Sequence, residues 1–70
     1  MRYNYFINET CCGYIAGYSY FNGYRIVNIY VRSVHNKHVN YTLDYIHARY
    51  YKTKKAAVAA VKLIREDIGK

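Results

Sequence analysis

Polar and apolar residues alternate with a period of two along the first half of the chain. The alternation runs through residues 2–8, returns in residues 14–21 and resumes from residue 24 onward. A period of two places successive side chains on opposite faces of a strand. We therefore predict strands in these three stretches, with a connecting loop over residues 8–13, where turn-forming residues collect.

An Asn-Gly pair separates the second and third alternating stretches. Asn22-Gly23 is a strong hairpin signal because both central residues of a type I′ turn need positive φ. A two-residue turn would pair Phe21 with Tyr24 and so fix the register. The core face would then carry Tyr14, Ala16, Tyr18, Val27, Ile29 and Val31. The second face, partly exposed to solvent, would carry Ile15, Gly17, Ser19, Phe21, Tyr24, Ile26, Asn28, Tyr30 and Arg32. A register shift of one residue would exchange the two faces.

The second half of the chain predicts one more strand and a helix. A turn is expected at residues 35–37, after which alternation resumes and changes phase near residues 44–46, as a β-bulge or a bend would cause. A helix over residues 42–50 is the competing interpretation. Thr53 is a good N-cap for a run of helix formers over residues 54–68. Its apolar stripe consists of Ala57, Ala60, Val61, Ile64 and Ile68.

These elements predict an α+β fold in a single domain over residues 1–70, with a small antiparallel β-sheet of three to four strands packed against one C-terminal α-helix. A chain of this length buries only about 60% of the surface that its unfolded form exposes, so a deep enclosed active site is not expected. The eleven tyrosines are too many for such a core. We expect several of them on an exposed surface or an interface, where the hydroxyl meets water or a partner.

Charge and composition narrow the classes of partner. Eleven Lys and Arg residues against four Asp and Glu residues give a net charge of +7. Such an imbalance is typical of proteins that bind phosphate, anionic lipid or an acidic protein, although solubility alone is the alternative. The chain shows no secretory leader and no apolar run of about 20 residues, so no membrane association is expected. Abundant Asn, Tyr, Ile and Lys, all encoded by AT-rich codons, indicate a phage or another mobile element.

Neither metal binding nor catalysis has a convincing pattern. The candidate metal ligands are Cys11, Cys12, His35, His38 and His47. Adjacent cysteines fit the geometry of a structural zinc site poorly, and they cannot form an ordinary disulfide, which favours reduced thiols and a cytoplasmic location. The four carboxylates are Glu9, Asp44, Glu66 and Asp67. They form no catalytic pair, and no nucleophile motif or phosphate loop accompanies them. We therefore expect no cofactor, no metal and no enzymatic activity.

Basic and aromatic residues carry the remaining signal, because cations neutralise phosphates, amides and guanidinium groups contact base edges, and tyrosines stack. The candidate nucleic-acid-binding residues are Arg2, Tyr24, Asn28, Tyr30, Arg32, Lys37, Arg49, Lys52, Lys54 and Lys55. Lys54 and Lys55 stand in the first helical turn, where the helix dipole disfavours cations. This cost is mild support for a role in binding a partner.

The segment from Tyr50 to Ala60 resembles the end of the arm-type DNA-binding domains of phage integrases and of the related plant AP2 domains. There a last strand runs through an aromatic residue and a Thr cap into an alanine-rich helix. The resemblance implies a three-stranded sheet whose open face docks into the major groove, and strand parity matches Tyr24, Asn28, Tyr30 and Arg32 to that face. This chain has an additional first strand and lacks the Trp and the dense Arg pattern of the AP2 sheet.

Two hypotheses follow. The first is a non-enzymatic accessory or regulatory protein that binds nucleic acid, DNA more readily than RNA. The second is a phage-type inhibitor or adaptor that docks a tyrosine-rich sheet face on an acidic host protein, a face that would also permit a homodimer. The position of the cations discriminates between them. Nucleic acid is favoured if Arg2, Arg32 and Lys37 share the aromatic face, and a protein partner is favoured if the cations cluster elsewhere.

Overall fold

Four antiparallel strands and one long helix form the fold in the computed structural model, which describes residues 2–69. The elements are β1 (Asn4–Thr10), β2 (Gly13–Phe21), β3 (Ile26–His35), β4 (His38–Thr42), a short 3₁₀ helix (Tyr45–His47) and α1 (Lys54–Ile68). The strands form one sheet in the order β1-β2-β3-β4. The predicted α+β fold, with a small antiparallel sheet and one C-terminal helix, is confirmed.

The connection between β1 and β2 is shorter than the sequence predicts. β1 continues through Thr10, which pairs with Gly13, so only Cys11 and Cys12 lie outside the strands. The Thr10 side chain builds this turn by accepting the Cys12 N–H at 3.2 Å and donating to the Gly13 carbonyl oxygen at 2.9 Å. The predicted loop over residues 8–13 is therefore wrong, because a side chain supplies the turn that the pattern assigned to a longer stretch.

The register between β2 and β3 differs from the prediction by two residues. Phe21 pairs with Ile26 rather than with Tyr24, across a four-residue loop. The Asn22 side chain stabilises this wider loop, because its Oδ1 accepts the N–H of Tyr24 at 2.9 Å and that of Arg25 at 3.0 Å. A shift of two residues preserves the side-chain period, so the predicted assignment of strand residues to the two faces survives.

β3 and β4 are joined by a tight turn. Asn36 and Lys37 both have positive φ, 49° and 67°, as the central residues of a type I′ turn require, which confirms the turn predicted at residues 35–37. The bulge of the sheet lies in β3, between Val31 and Ser33. The phase change near residues 44–46 corresponds to the 3₁₀ helix, and the competing helix over residues 42–50 is wrong beyond those three residues.

α1 packs on one face of the sheet through the predicted stripe. Thr53 caps it by accepting the Ala56 N–H at 3.2 Å. The stripe residues Ala57, Ala60 and Ile64 are buried, and Val61 and Ile68 are half-buried. The central core cluster consists of Ala16, Val31, Ala60 and Ile64. Because two of these four residues are alanines, the helix can lie close to the sheet.

Residues 49–51, which precede the helix, hydrogen-bond to both β2 and β3 beyond the end of their direct pairing. That pairing runs from Phe21↔Ile26 to Gly17↔Tyr30. Beyond it, Tyr14 and Tyr51 exchange two backbone hydrogen bonds of 2.8 and 2.7 Å, and the Arg49 N–H donates to the Val31 carbonyl oxygen at 2.8 Å. These bonds fix where the chain enters α1.

Candidate functional site

Five of the candidate basic residues come together where the sheet passes into the helix. We call this group, Arg32, Arg49, Lys52, Lys54 and Lys55, the basic junction, and all five residues are exposed. Four of them lie within residues 49–55. Arg32 is their neighbour along the backbone, because it follows Val31, whose carbonyl oxygen accepts the Arg49 N–H. The structure thus adds a residue from β3 to a cluster that is otherwise local in sequence.

Among the described residues, no carboxylate forms an ion pair with the basic junction. The only ion pair among residues 2–69 is the 3.9 Å contact of His47 with Asp44. No acidic residue lies in the first turn of α1, where the helix dipole adds to the positive potential. The Arg49 guanidinium lies 5.2 Å from the centre of the Tyr51 ring, a cation–π contact that orients it. The junction can therefore attract an anion without first breaking an ion pair of its own.

An open groove runs beside the basic junction. It has a volume of about 270 Å³, and its lining residues are Val34, Arg49, Tyr51, Ala56, Ala59, Ala60 and Leu63. Burial raises the pKa of Tyr51, while the nearby Arg49 opposes that rise. The groove is mainly apolar and carries a guanidinium group at its rim. This combination can accept a flat, partly apolar group that is attached to an anion.

On the open face of the sheet, Tyr30 has a packing role that the sequence did not predict. Its ring contacts Phe6 at 5.7 Å between centroids, with the planes at 74°. Phe6 in turn covers Gly17, since a Cβ added there would lie 2.7 Å from the Phe6 ring and would overlap the Ile29 carbonyl oxygen. Tyr30 is half-buried as a result, whereas Asn28 is exposed. The Tyr30 ring is therefore engaged within the chain rather than free to stack on a base.

The open face also carries exposed apolar side chains at the end near the β2–β3 loop. Phe21 and Ile26 pair across the strands and are 61% and 65% exposed, and Leu43 is 70% exposed. Leu43 lines a shallow groove with Ile26 and Tyr30. The place of Leu43 on this face was not predictable from the sequence, because it follows the end of β4, where the alternating pattern no longer defines a face. Tyr24, assigned to this face, instead lies in the loop.

Arg2, Arg32 and Lys37 do not form one patch on the open face. Arg2 precedes β1, whose first residue pairs with Ser19 near the β2–β3 loop. Lys37 lies in the opposite turn of β3 and lines a helix-side groove with residues of α1. The open face therefore lacks the shared set of Arg2, Arg32 and Lys37 that a nucleic-acid site there was expected to have.

Most of the packed tyrosines lie on the face that α1 covers. Tyr18 is at their centre, in edge contact with Tyr3 at 5.4 Å and with Tyr41 at 5.5 Å. The Tyr41 hydroxyl donates to Asp67 of α1 at 2.7 Å. Burial raises the pKa of both Tyr18 and Tyr41, and in Tyr41 the bond to Asp67 adds to the rise. The predicted tyrosine-rich surface is therefore present, and the packed tyrosines around Tyr18 lie on the helix side of the sheet.

Within the described chain, no group of three or more His, Cys, Asp and Glu side chains is placed to hold a metal ion. No helix of residues 2–69 has the length and apolar character needed to cross a membrane. Comparison of the chain with protein-family models, with curated proteins and with solved structures finds no match. The resemblance of residues 50–60 to arm-type and AP2 domains therefore stays a prediction.

Proposed function

We propose that this protein is a non-enzymatic nucleic-acid-binding protein, with an accessory or regulatory role, that contacts phosphates through the basic junction. The observation that carries this proposal is the set of five exposed cations on β3, on the segment that precedes α1 and in the first turn of α1, with no carboxylate of residues 2–69 at ion-pair distance. Clustered Lys and Arg residues contribute to nucleic-acid affinity by releasing counterions from phosphates. The origin in a phage or mobile element remains an inference from composition.

Duplex DNA fits the basic junction better than an isolated anion does. The cations are spread over a β-strand, the connecting segment and the first helical turn, so they can contact several phosphates in succession. The groove beside Arg49 and Tyr51 is open and mainly apolar, and it can accept a sugar or the edge of a base. Phosphate contacts of this kind position a protein on DNA without specifying a sequence. We therefore expect binding that depends weakly on sequence and strongly on salt.

A fluorescence anisotropy titration tests the proposal. The protein is titrated against short duplex and single-stranded oligonucleotides at low and near-physiological salt. Binding weakens as salt rises, and each phosphate contact on duplex DNA adds about 0.9 to the magnitude of the slope of log K against log salt concentration. The double variant Lys54→Ala/Lys55→Ala should therefore lower that slope by up to about 1.8 and weaken binding at every salt concentration. Alanine is a good helix former, so α1 should be preserved.

The matched control is Arg2→Ala/Arg25→Ala, which removes the same charge from exposed residues outside the basic junction. It should lower the affinity only through the net charge, with a smaller effect on the slope. If the unmodified protein fails to bind either oligonucleotide at low salt, nucleic acid is not the partner. If both double variants lose affinity equally, the attraction is diffuse and the junction is not the site.

The second candidate function is docking on a host protein through the open face. The exposed Phe21, Ile26 and Leu43 side chains favour it, because adjoining apolar side chains on a surface mark interaction sites. If the folded protein binds no oligonucleotide, docking on a host protein is favoured over nucleic-acid binding.

A further inference from the structure

β1 is an edge strand without the usual protection against pairing. Its register with β2 is continuous from Asn4↔Ser19 to Thr10↔Gly13, without a bulge, and it contains no Pro and no cation. Natural sheets protect their edges with Lys, Pro, bulges or short strands. β4, at the other edge, has only five residues and pairs with β3 across a bulge. β1 is therefore the edge that can accept another strand.

The hydrogen bonds of Tyr14 reveal which β1 groups point outward. The N–H and carbonyl of Tyr14 both bond to Tyr51, on the side of β2 away from β1. Its partner Glu9 is therefore in a non-hydrogen-bonded pair, and its own N–H and carbonyl point to the free edge. By alternation along the strand, the backbone N–H and carbonyl groups of Ile7 and Tyr5 also point to the free edge. No loop, helix or side chain within residues 2–69 bonds to the backbone of these three residues.

We propose that two copies of this chain form a homodimer by antiparallel pairing of β1 with β1. Ile7 is the central residue of Asn4–Thr10. Tyr5 and Glu9, whose backbone groups also point to the free edge, lie two positions before and after it. Pairing centred on Ile7 brings Ile7 opposite its symmetry mate and Tyr5 opposite Glu9 of the second copy. These three hydrogen-bonded pairs contribute about six backbone hydrogen bonds. The arrangement is isologous and joins the two sheets into one.

The charges at this edge are self-complementary. Glu9 is the only charged residue of β1, and no Lys or Arg occurs from Tyr3 to Tyr24. Arg65 of α1 lies 5.0 Å from the centre of the Tyr5 ring. Because Tyr5 faces Glu9 of the second copy, each Arg65 comes beside the Glu9 carboxylate of the other copy. Both side chains are exposed, and neither forms an ion pair within residues 2–69; the Glu9 carboxylate accepts one hydrogen bond, from the Tyr14 hydroxyl at 3.0 Å.

An apolar groove lies between β1 and α1 and would be covered in the dimer. It has a volume of about 300 Å³, and its lining residues are Tyr5, Phe6, Ile7, Val58, Val61 and Arg65. Val58, which lines this groove, is 38% exposed. Both helices lie on the same face of the joined sheet, so the two grooves face each other above the Ile7 pair. The dimer removes their apolar surface from water.

A charge-swap experiment tests the dimer by sedimentation equilibrium over a series of protein concentrations. Glu9→Lys and Arg65→Glu each place like charges together and should raise the dimer dissociation constant by about tenfold or more. The double variant restores opposite charges and should return the constant close to that of the unmodified protein. The matched controls are Glu66→Lys and Lys62→Glu, which make the same changes at exposed helix positions outside the groove. They should leave dimerisation nearly unchanged.

Cysteine cross-linking tests the register. In a Cys11→Ser/Cys12→Ser background, Ile7→Cys should form a disulfide-linked dimer on mild oxidation, because Cα atoms of such a pair lie about 5.5 Å apart. Asn4→Cys is the matched control on the same strand, since the two Asn4 residues lie about 20 Å apart in this register.

A protein that stays monomeric at several hundred micromolar would overturn the proposal. So would a double charge variant that fails to recover dimerisation, or Asn4→Cys cross-linking as readily as Ile7→Cys. These measurements contain no nucleic acid, so their failure is distinct from failure of the proposed function.

Discussion

Ile64→Ala is the substitution whose cost the structure defines best. Ile64 is completely buried in the core cluster, together with Ala16, Val31 and Ala60. Its truncation removes three carbon atoms, worth about 2 kcal/mol of transfer free energy, and leaves a cavity that adds to the cost. The alanines beside it have no side-chain freedom with which to fill the cavity. We therefore expect a loss of about 3–4 kcal/mol in the free energy of unfolding.

That loss is large for a chain of this size, whose total stability is expected to be about 4–10 kcal/mol. Urea unfolding followed by far-ultraviolet circular dichroism measures it, at one fixed protein concentration because dimerisation would add to the apparent stability. Ile46→Ala is the matched control, since Ile46 is 67% exposed and should lose no more than about 0.5 kcal/mol. A cost below about 1 kcal/mol for Ile64→Ala, or one equal to that of the control, would refute the core described here.

Two further predictions concern packing and pH. Gly17→Ala should lower the free energy of unfolding by about 1–3 kcal/mol, because the added Cβ would overlap the Ile29 carbonyl oxygen and the Phe6 ring. An unchanged urea midpoint would contradict this. Burial raises the pKa of Tyr18, Tyr41 and Tyr51, so the folded chain keeps protons that the unfolded chain loses above a pKa of about 10. The free energy of unfolding should therefore keep this contribution below pH 10 and decrease at higher pH. The decrease should be smaller in Tyr41→Phe. A free energy of unfolding that stays constant up to pH 11 would contradict this prediction.

Elements whose signal is local could be predicted from the sequence. The stripe of α1 follows from its 3.6-residue period, and the Thr53 cap follows from a side chain three residues before the N–H that it accepts. The faces of β2 and β3 were also predictable, even though the register was not. Parity along a strand depends only on alternation, so a two-residue error in the loop left the faces unchanged.

Loop lengths and long-range connections could not be predicted in the same way. The Asn22 side chain replaces a type I′ turn by binding two backbone N–H groups, and the Thr10 side chain shortens the β1–β2 turn. Both choices depend on competition between side-chain and main-chain hydrogen bonds, which alternation does not encode. The contact of Arg49 with Val31 joins residues far apart in sequence, so the inclusion of Arg32 in the basic junction was not predictable from spacing.

The candidate residues on the open face show how packing changes the role of a side chain. The alternation of side chains along β3 predicted Tyr30 on the open face, as a candidate for nucleic-acid binding. The structure places Tyr30 on that face. Gly17 leaves room for Phe6 to lie over the sheet, and the Phe6 ring then contacts Tyr30. A glycine on β2 thus determines which aromatic ring its cross-strand partner on β3 can contact. Substituting Tyr30 by Ala would test packing as much as binding, so the junction lysines are the better probe.

The distribution of charge makes the two proposals compatible within one small protein. No Lys or Arg occurs from Tyr3 to Tyr24, so β1 and β2 carry none of the cations that give the chain its net charge of +7. Two copies can therefore pair their β1 strands without bringing the basic junctions into contact at the pairing edge. The Thr10 end of β1 leads into the β1–β2 turn, and the strand after that turn pairs with Tyr51, next to the basic junction. In antiparallel pairing of β1 with β1, the two Thr10 ends lie far apart. The dimer would then present two separate cationic sites to one polyanion, which raises the effective local concentration of the second site once the first is bound.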